Sequence, residues 1–196
     1  MTPAKQLHTT LADFDAANQQ DHHHEIVNGQ SVPKEWIYGQ RMSEQLARFC
    51  PDASTTLQLA ARCQHICRWK IPRSDYPMDR AGYKRWRSDL AQFHGETAAV
   101  IMHNNSYDEA AIQRVKDLLL KRGLKRDDEV QALEDVICLV FLEYYLEEFA
   151  AKHDEEKLID IIRKTWNKMS PKGHEAALRL PLSEAMLQLV TKALTP

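Results

Sequence analysis

Eight basic residues fall between positions 62 and 87, namely Arg62, Arg68, Lys70, Arg73, Arg80, Lys84, Arg85 and Arg87, against two acids, Asp75 and Asp79. Trp69, Tyr76, Tyr83 and Trp86 are interleaved with them. Guanidinium groups beside aromatic rings suit a phosphate or sulfate attached to a flat base. The fork of donors matches an oxyanion, and the ring faces accept a stacked heterocycle. The segment therefore predicts a pocket for a nucleotide or another phosphorylated small molecule. Arg68, Arg73, Arg80 and Arg87 would hold the anion, and Trp69, Tyr83 or Trp86 would stack on the base. The competing expectation is a solvated face whose arginines pair with the acidic stretch at 128–160.

His65, His94 and Asp135 lie on three separate predicted helices, and one helical core can bring them together as metal ligands or as acid and base. The cofactor such a set would take is a single divalent metal, Mn, Mg or Zn. Asp135 stands out because it enters the apolar run VICLVFL, where a buried carboxylate needs a cation, a metal or several hydrogen bonds. A second histidine cluster, His22, His23 and His24 beside Asp21 and Glu25, suits either a transition metal or an exposed loop with incidental affinity. Cys50, Cys63, Cys67 and Cys138 form no CxxC pair, so they read as buried thiols rather than a disulfide framework or zinc finger.

The elements that must position these residues read as helices. The chain has 196 residues with six glycines and eight prolines, and good helix formers dominate, so the expectation is one all-α domain over 1–196. Apolar spacing outlines a first helix over about 3–17, then a polar loop over 18–33. A second helix follows Pro33 and stops at Pro51, and a third carries Leu57, Leu59, Cys63, Ile66 and Cys67 toward Trp69. After a turn-rich loop over 70–82, helices are expected over about 83–103, 108–121, the core run at 136–142, 154–168 and 181–194, about eight in all. A net charge of −2 gives no global pull toward nucleic acid, so RNA is the weakest of the partner classes considered. The first residues lack the apolar core of a signal peptide, and no apolar run reaches the length of a membrane span. A soluble cytoplasmic protein without a membrane partner is expected, and its amphipathic helices suit a monomer or a homodimer.

The segments PKEWIYGQRMSEQLARF, AARCQHICRWKIPRSDYPMDRAGYKRWR, LEDVICLVFLEYYLEEFAAKHDEEK and RKTWNKMSPKGHEAAL closely resemble domain-of-unknown-function family 4202 over nearly the whole chain. More distantly, the helix order resembles the HD-domain metal-dependent phosphohydrolases, whose ligands are an early histidine, an adjacent His-Asp pair and a late aspartate. LEDVICL is similar to the helix carrying that last aspartate, at Asp135, and AARCQHICR to the helix carrying the pair. Gln64 and His65 occupy the two positions of the pair, His94 falls where an auxiliary histidine often occurs, and Arg41 falls near the first histidine. The resemblance implies an HD-like helical fold and hydrolysis of a phosphoester or anhydride, with Arg41, Gln64 and Tyr76 among the residues lining the pocket. The departures from the ligand pattern imply the alternative, a non-catalytic anion-binding module. KMSPKG, residues 168–173, is similar to the phosphate-binding lysine loop of class I aminoacyl-tRNA synthetases, but that loop serves an α/β domain, and no strand–helix alternation accompanies it here.

Overall fold

The computed structural model describes residues 2–195. Length alone suggests one domain, whereas the contacts divide the chain into two compact units with the boundary between Arg122 and Gly123. The first unit holds α1 (Pro3–Asn18), β1 (His24–Val27), β2 (Gln30–Pro33), α2 (Lys34–Phe49), α3 (Thr55–Arg62), α4 (Arg80–Asn104) and α5 (Glu109–Leu119). The second holds α6 (Asp128–Val140), a π-helical stretch at Phe141–Tyr145, α7 (Leu146–Ala150), α8 (Glu155–Trp166), α9 (Pro171–Ala177) and α10 (Glu184–Leu194). The class is mostly all-α, with ten α-helices among the described residues rather than about eight.

Side-chain caps start most of these helices where polar residues precede apolar runs. Asp79, Asp108 and Asp154 each accept a backbone N–H three residues on, satisfying a donor that the helix itself leaves open. In the first unit α4 packs on α5, and α3 packs on both α2 and α5. Met42, Leu46, Leu57, Leu59, Leu90, Met102, Val115 and Leu118 fill the space between them and are almost wholly buried. Removing a Leu or Met side chain of this kind from water contributes roughly 1.5–3 kcal/mol. In the second unit α6 packs on α9, and α8 on α10.

Two local expectations are corrected. The polar loop over 18–33 contains a two-stranded antiparallel hairpin, with Val27 paired to Gln30. Its turn is Asn28-Gly29, both at positive φ (50° and 78°), the backbone twist that matches two right-twisted strands. The third helix stops at Arg62 instead of continuing to Trp69. Cys67 turns left-handed at φ 52°, and its backbone N–H goes to Asn18 Oδ1 at 2.9 Å, a partner far away in sequence. His65 consequently sits on a turn between α3 and a short 3-10 turn at Arg68–Lys70.

Candidate functional site

Three elements of the first unit converge on His65. Asn18, at the end of α1 and only 1% exposed, donates to Glu35 O at 3.2 Å and accepts from Cys67 N, so it clamps the first turn of α2 against the 63–67 turn. Asp21, equally buried, accepts the Glu35 backbone N–H at 3.1 Å and fixes the same turn from the other side. These contacts place the Glu35 carboxylate 3.2 Å from His65 Nδ1. Arg68 Nη1 lies 2.8 Å from His65 Nε2. Since a guanidinium only donates, Nε2 carries the lone pair and Nδ1 carries the proton that goes to Glu35. The tautomer of His65 is thus set from both sides.

Rings hold the pair in place. Tyr38 stacks on His65 with centroids 3.9 Å apart and planes 11° apart. Arg68 lies over Trp86 at 5.0 Å, and Trp86 donates its indole N–H to Ile71 O at 2.9 Å. His94, on α4, is buried with its ring centre 6.0 Å from that of His65, and its Nδ1 donates to Ile66 O at 2.8 Å. Gln64 is buried next to this turn, and its Oε1 has no hydrogen-bond partner among the described residues.

The electrostatics favour an anion. Burial, with the positive charges of Arg68, Arg87, Lys121 and Lys34 behind it, holds His65 well below the ordinary imidazole value and so neutral. Burial and the neighbouring His65 push His94 down to about 3. Burial raises Glu35 to about 7, against the pull of Arg68 in the opposite direction. Positive charge therefore acts on a neutral ring whose contacting carboxyl is only partly ionised near neutral pH. Both ring nitrogens of His65 are engaged, Nδ1 by Glu35 and Nε2 by Arg68, so in this arrangement the ring offers no free lone pair to a metal ion.

The remaining candidates divide by what they already hold. Arg87 is half-buried on α4, while Arg80 and Tyr83 are exposed near its start, Tyr83 lying 5.9 Å from Trp86. Trp69 is half-buried on the 3-10 turn that carries Arg68. Arg73 donates to the backbone carbonyls of Tyr76 and Pro77 at 3.0 and 2.7 Å, so its fork stitches the 70–82 loop together. Tyr76 donates to Asp89 at 2.9 Å, and Arg41 pairs with Glu25 at 2.6 Å, tying β1 to α2.

Asp135 belongs to the second unit and is 1% exposed. Its oxygens accept from Ser170 N at 2.8 Å, Ser170 Oγ at 2.6 Å and Gln131 Nε2 at 3.1 Å. Ser170 begins α9 by accepting from Gly173 N, and a Cβ at Gly173 would stand 2.6 Å from Asp135 Oδ1. KMSPKG is thus the start of a helix packed on a buried carboxylate. Ser170→Ala removes the cap and one bond to that carboxylate together, and is expected to destabilise the second unit by about 2 kcal/mol in urea unfolding.

Glu35 is the site residue that sequence reasoning passed over. It looks like any acid in a first helical turn, and only the long-range clamp through Asn18 and Asp21 brings it to His65. No curated protein and no solved structure matches the chain. The model of the family described as a domain of unknown function, DUF4202, matches residues 8–190, through both units, and the chain belongs to that family.

Proposed function

We propose that the first unit binds a phosphorylated small molecule of the nucleotide class and hydrolyses its phosphoester. The observation that carries this reading is Arg68, held 2.8 Å from a neutral His65 whose carboxylate partner Glu35 titrates near neutrality, with the positive charges of Arg87, Lys34 and Lys121 also acting on that ring. Arg68 and Arg87 would neutralise charge on the phosphoryl oxygens, and Tyr83 or Trp69 would cover the base. Glu35, with a pKa of about 7, has the value wanted of a group that takes a proton from the attacking water. As water oxygen bonds to phosphorus, the ester oxygen leaves with the bonding pair, and Glu35 hands it the proton taken from the water, which returns Glu35 to its carboxylate form. No metal enters this scheme.

A second reading, a binding module without turnover, is favoured by a separate observation. Both nitrogens of His65 already have partners inside the protein. One experiment separates the two readings. Phosphate release is measured across nucleotides and sugar phosphates, with ligand binding followed by calorimetry on the same samples. Hydrolysis is expected, reduced about 100-fold or more in Glu35→Gln. Binding without release supports the module, and absence of both sinks the anion pocket.

A further inference from the structure

The loop between α1 and β1 carries two imidazoles that the anion pocket does not use, beside Asp21. Asp21, His22 and His23 each offer one ligand atom, and these atoms all lie within 4.8 Å of one another. The imidazoles are exposed, with His22 and His23 ring centres 4.0 Å apart, while Asp21 is buried at 2% exposure. Asp21 Oδ1 accepts from His23 N at 2.9 Å and from His23 Nδ1 at 3.0 Å. That bond puts the proton on Nδ1 and leaves Nε2 with its lone pair. A carboxylate behind a ligating imidazole is the arrangement that orients histidines at zinc sites and raises their basicity. His24 adds a further restraint, with Nδ1 3.2 Å from His22 O.

We propose that His22 and His23 bind one divalent transition-metal ion of the zinc class, with Asp21 behind His23 as its positioning carboxylate. Imidazole donors select such an ion over magnesium or calcium, which take oxygen ligands. Two protein nitrogens leave the other positions to water, so the affinity belongs on the order of micromolar. The ion reports to the rest of the unit through Asp21, whose second oxygen holds the Glu35 backbone N–H at the start of α2. Loading therefore stiffens the segment from Asp21 to Glu35. The inference does not require the anion reading, since its ligands are His22 and His23, while Asp21 is shared through its bond to the Glu35 backbone N–H.

The test is zinc titration calorimetry on the untagged full chain, with hydrogen exchange of the 21–35 segment followed in parallel. One equivalent of zinc is expected, and exchange over the segment slows on loading. In the His22→Ala, His23→Ala double variant the Kd rises by about 30-fold or more, and Asp21→Asn weakens binding by roughly 10–100-fold. The histidines are solvent-exposed, so the double variant keeps its circular dichroism spectrum. Absence of zinc uptake, or equal uptake by the double variant, overturns the proposal. Uptake that leaves exchange over 21–35 unchanged places the ion elsewhere and overturns it as well.

Discussion

Arg68→Ala is expected to weaken binding of AMP, measured by calorimetry at low salt, by about 100-fold. A charge-assisted hydrogen bond contributes roughly 1.5–3 kcal/mol, and the lower part of that range already corresponds to more than tenfold in affinity. The loss compounds because Arg68 does three things at once. It donates to His65 Nε2, lies 3.9 Å from Glu35 Oε1, and rests over Trp86. Without it the lone pair of His65 loses its donor and Glu35 loses its nearest cation, which raises the Glu35 pKa further. Arg68→Lys keeps the charge but loses the flat fork that reaches His65 while stacking on the ring, so a loss of about tenfold is expected. Arg85→Ala is the control, since Arg85 is exposed and paired only loosely with Asp89 at 3.8 Å. It should change affinity by less than about twofold. Equal affinity in wild type and Arg68→Ala would remove Arg68 from the anion site.

Much of this arrangement is legible in the sequence, and the illegible part has a common cause. Helix starts are local: Asp108 and Asp154, each just before an apolar run, fix two boundaries without tertiary information, whereas the caps Asp79 and Ser183 start their helices at Arg80 and Glu184 instead of at about 83 and 181. The hairpin was equally local. Asn28-Gly29 between Ile26-Val27 and Val32 is the strongest short-range hairpin signal, and reading the polar stretch as a loop overlooked it. The break after Arg62 is different in kind. Periodicity through Cys63, Ile66 and Cys67 is helical, yet the chain leaves the helix after Arg62, and the Cys67 amide goes to Asn18 rather than to a helical carbonyl. Such a contact, 49 positions apart, leaves no mark in a window of neighbouring residues. Glu35 is hidden for the same reason.

Asp135 shows where sequence reasoning can go far without finishing. A carboxylate among Val136, Leu139 and Val140 must have partners, and that necessity is visible from composition alone. Which partner is chosen is a matter of packing. Ser170 and Gln131 take the role, so the acid is satisfied by hydrogen bonds within its own unit. The basic run at 62–87 divides in the same way. Arg73 spends its donors on carbonyls of its own loop, and Arg68 faces His65. Counting charges along the chain cannot separate these two fates, because both arginines sit in similar local sequence.

Glu35→Gln should change the pH dependence of stability by about 3 kcal/mol across the window between the unfolded and folded values of this one group. In the fold Glu35 titrates at about 7 instead of 4.5, chiefly because burial disfavours its charge. Between those values the folded chain holds a proton that the unfolded chain has released, so stability falls as pH rises through this window. The full contribution is present below about 4.5 and gone above about 7. His65 and His94 act with the opposite sign. Both are held neutral in the fold, so below 6.5 the unfolded chain takes up protons that the folded chain refuses, and stability falls as pH falls. Two histidines outweigh one glutamate through 6.5, because the unfolded imidazoles are still half protonated there, and the opposing effects balance only near neutrality, so these three groups together place the wild-type maximum at about pH 7. Glutamine cannot titrate and leaves only the histidine limb, so the variant should keep rising through pH 6.5 and level off above about pH 7.5. Urea unfolding of both proteins from pH 4.5 to 8 reads the difference directly, with wild type losing about 3 kcal/mol relative to the variant across the window. A difference that stays constant with pH would mean that Glu35 ionises as an ordinary surface acid. Its assignment as the proton acceptor near neutrality would then fall, while the anion site on Arg68 would stand.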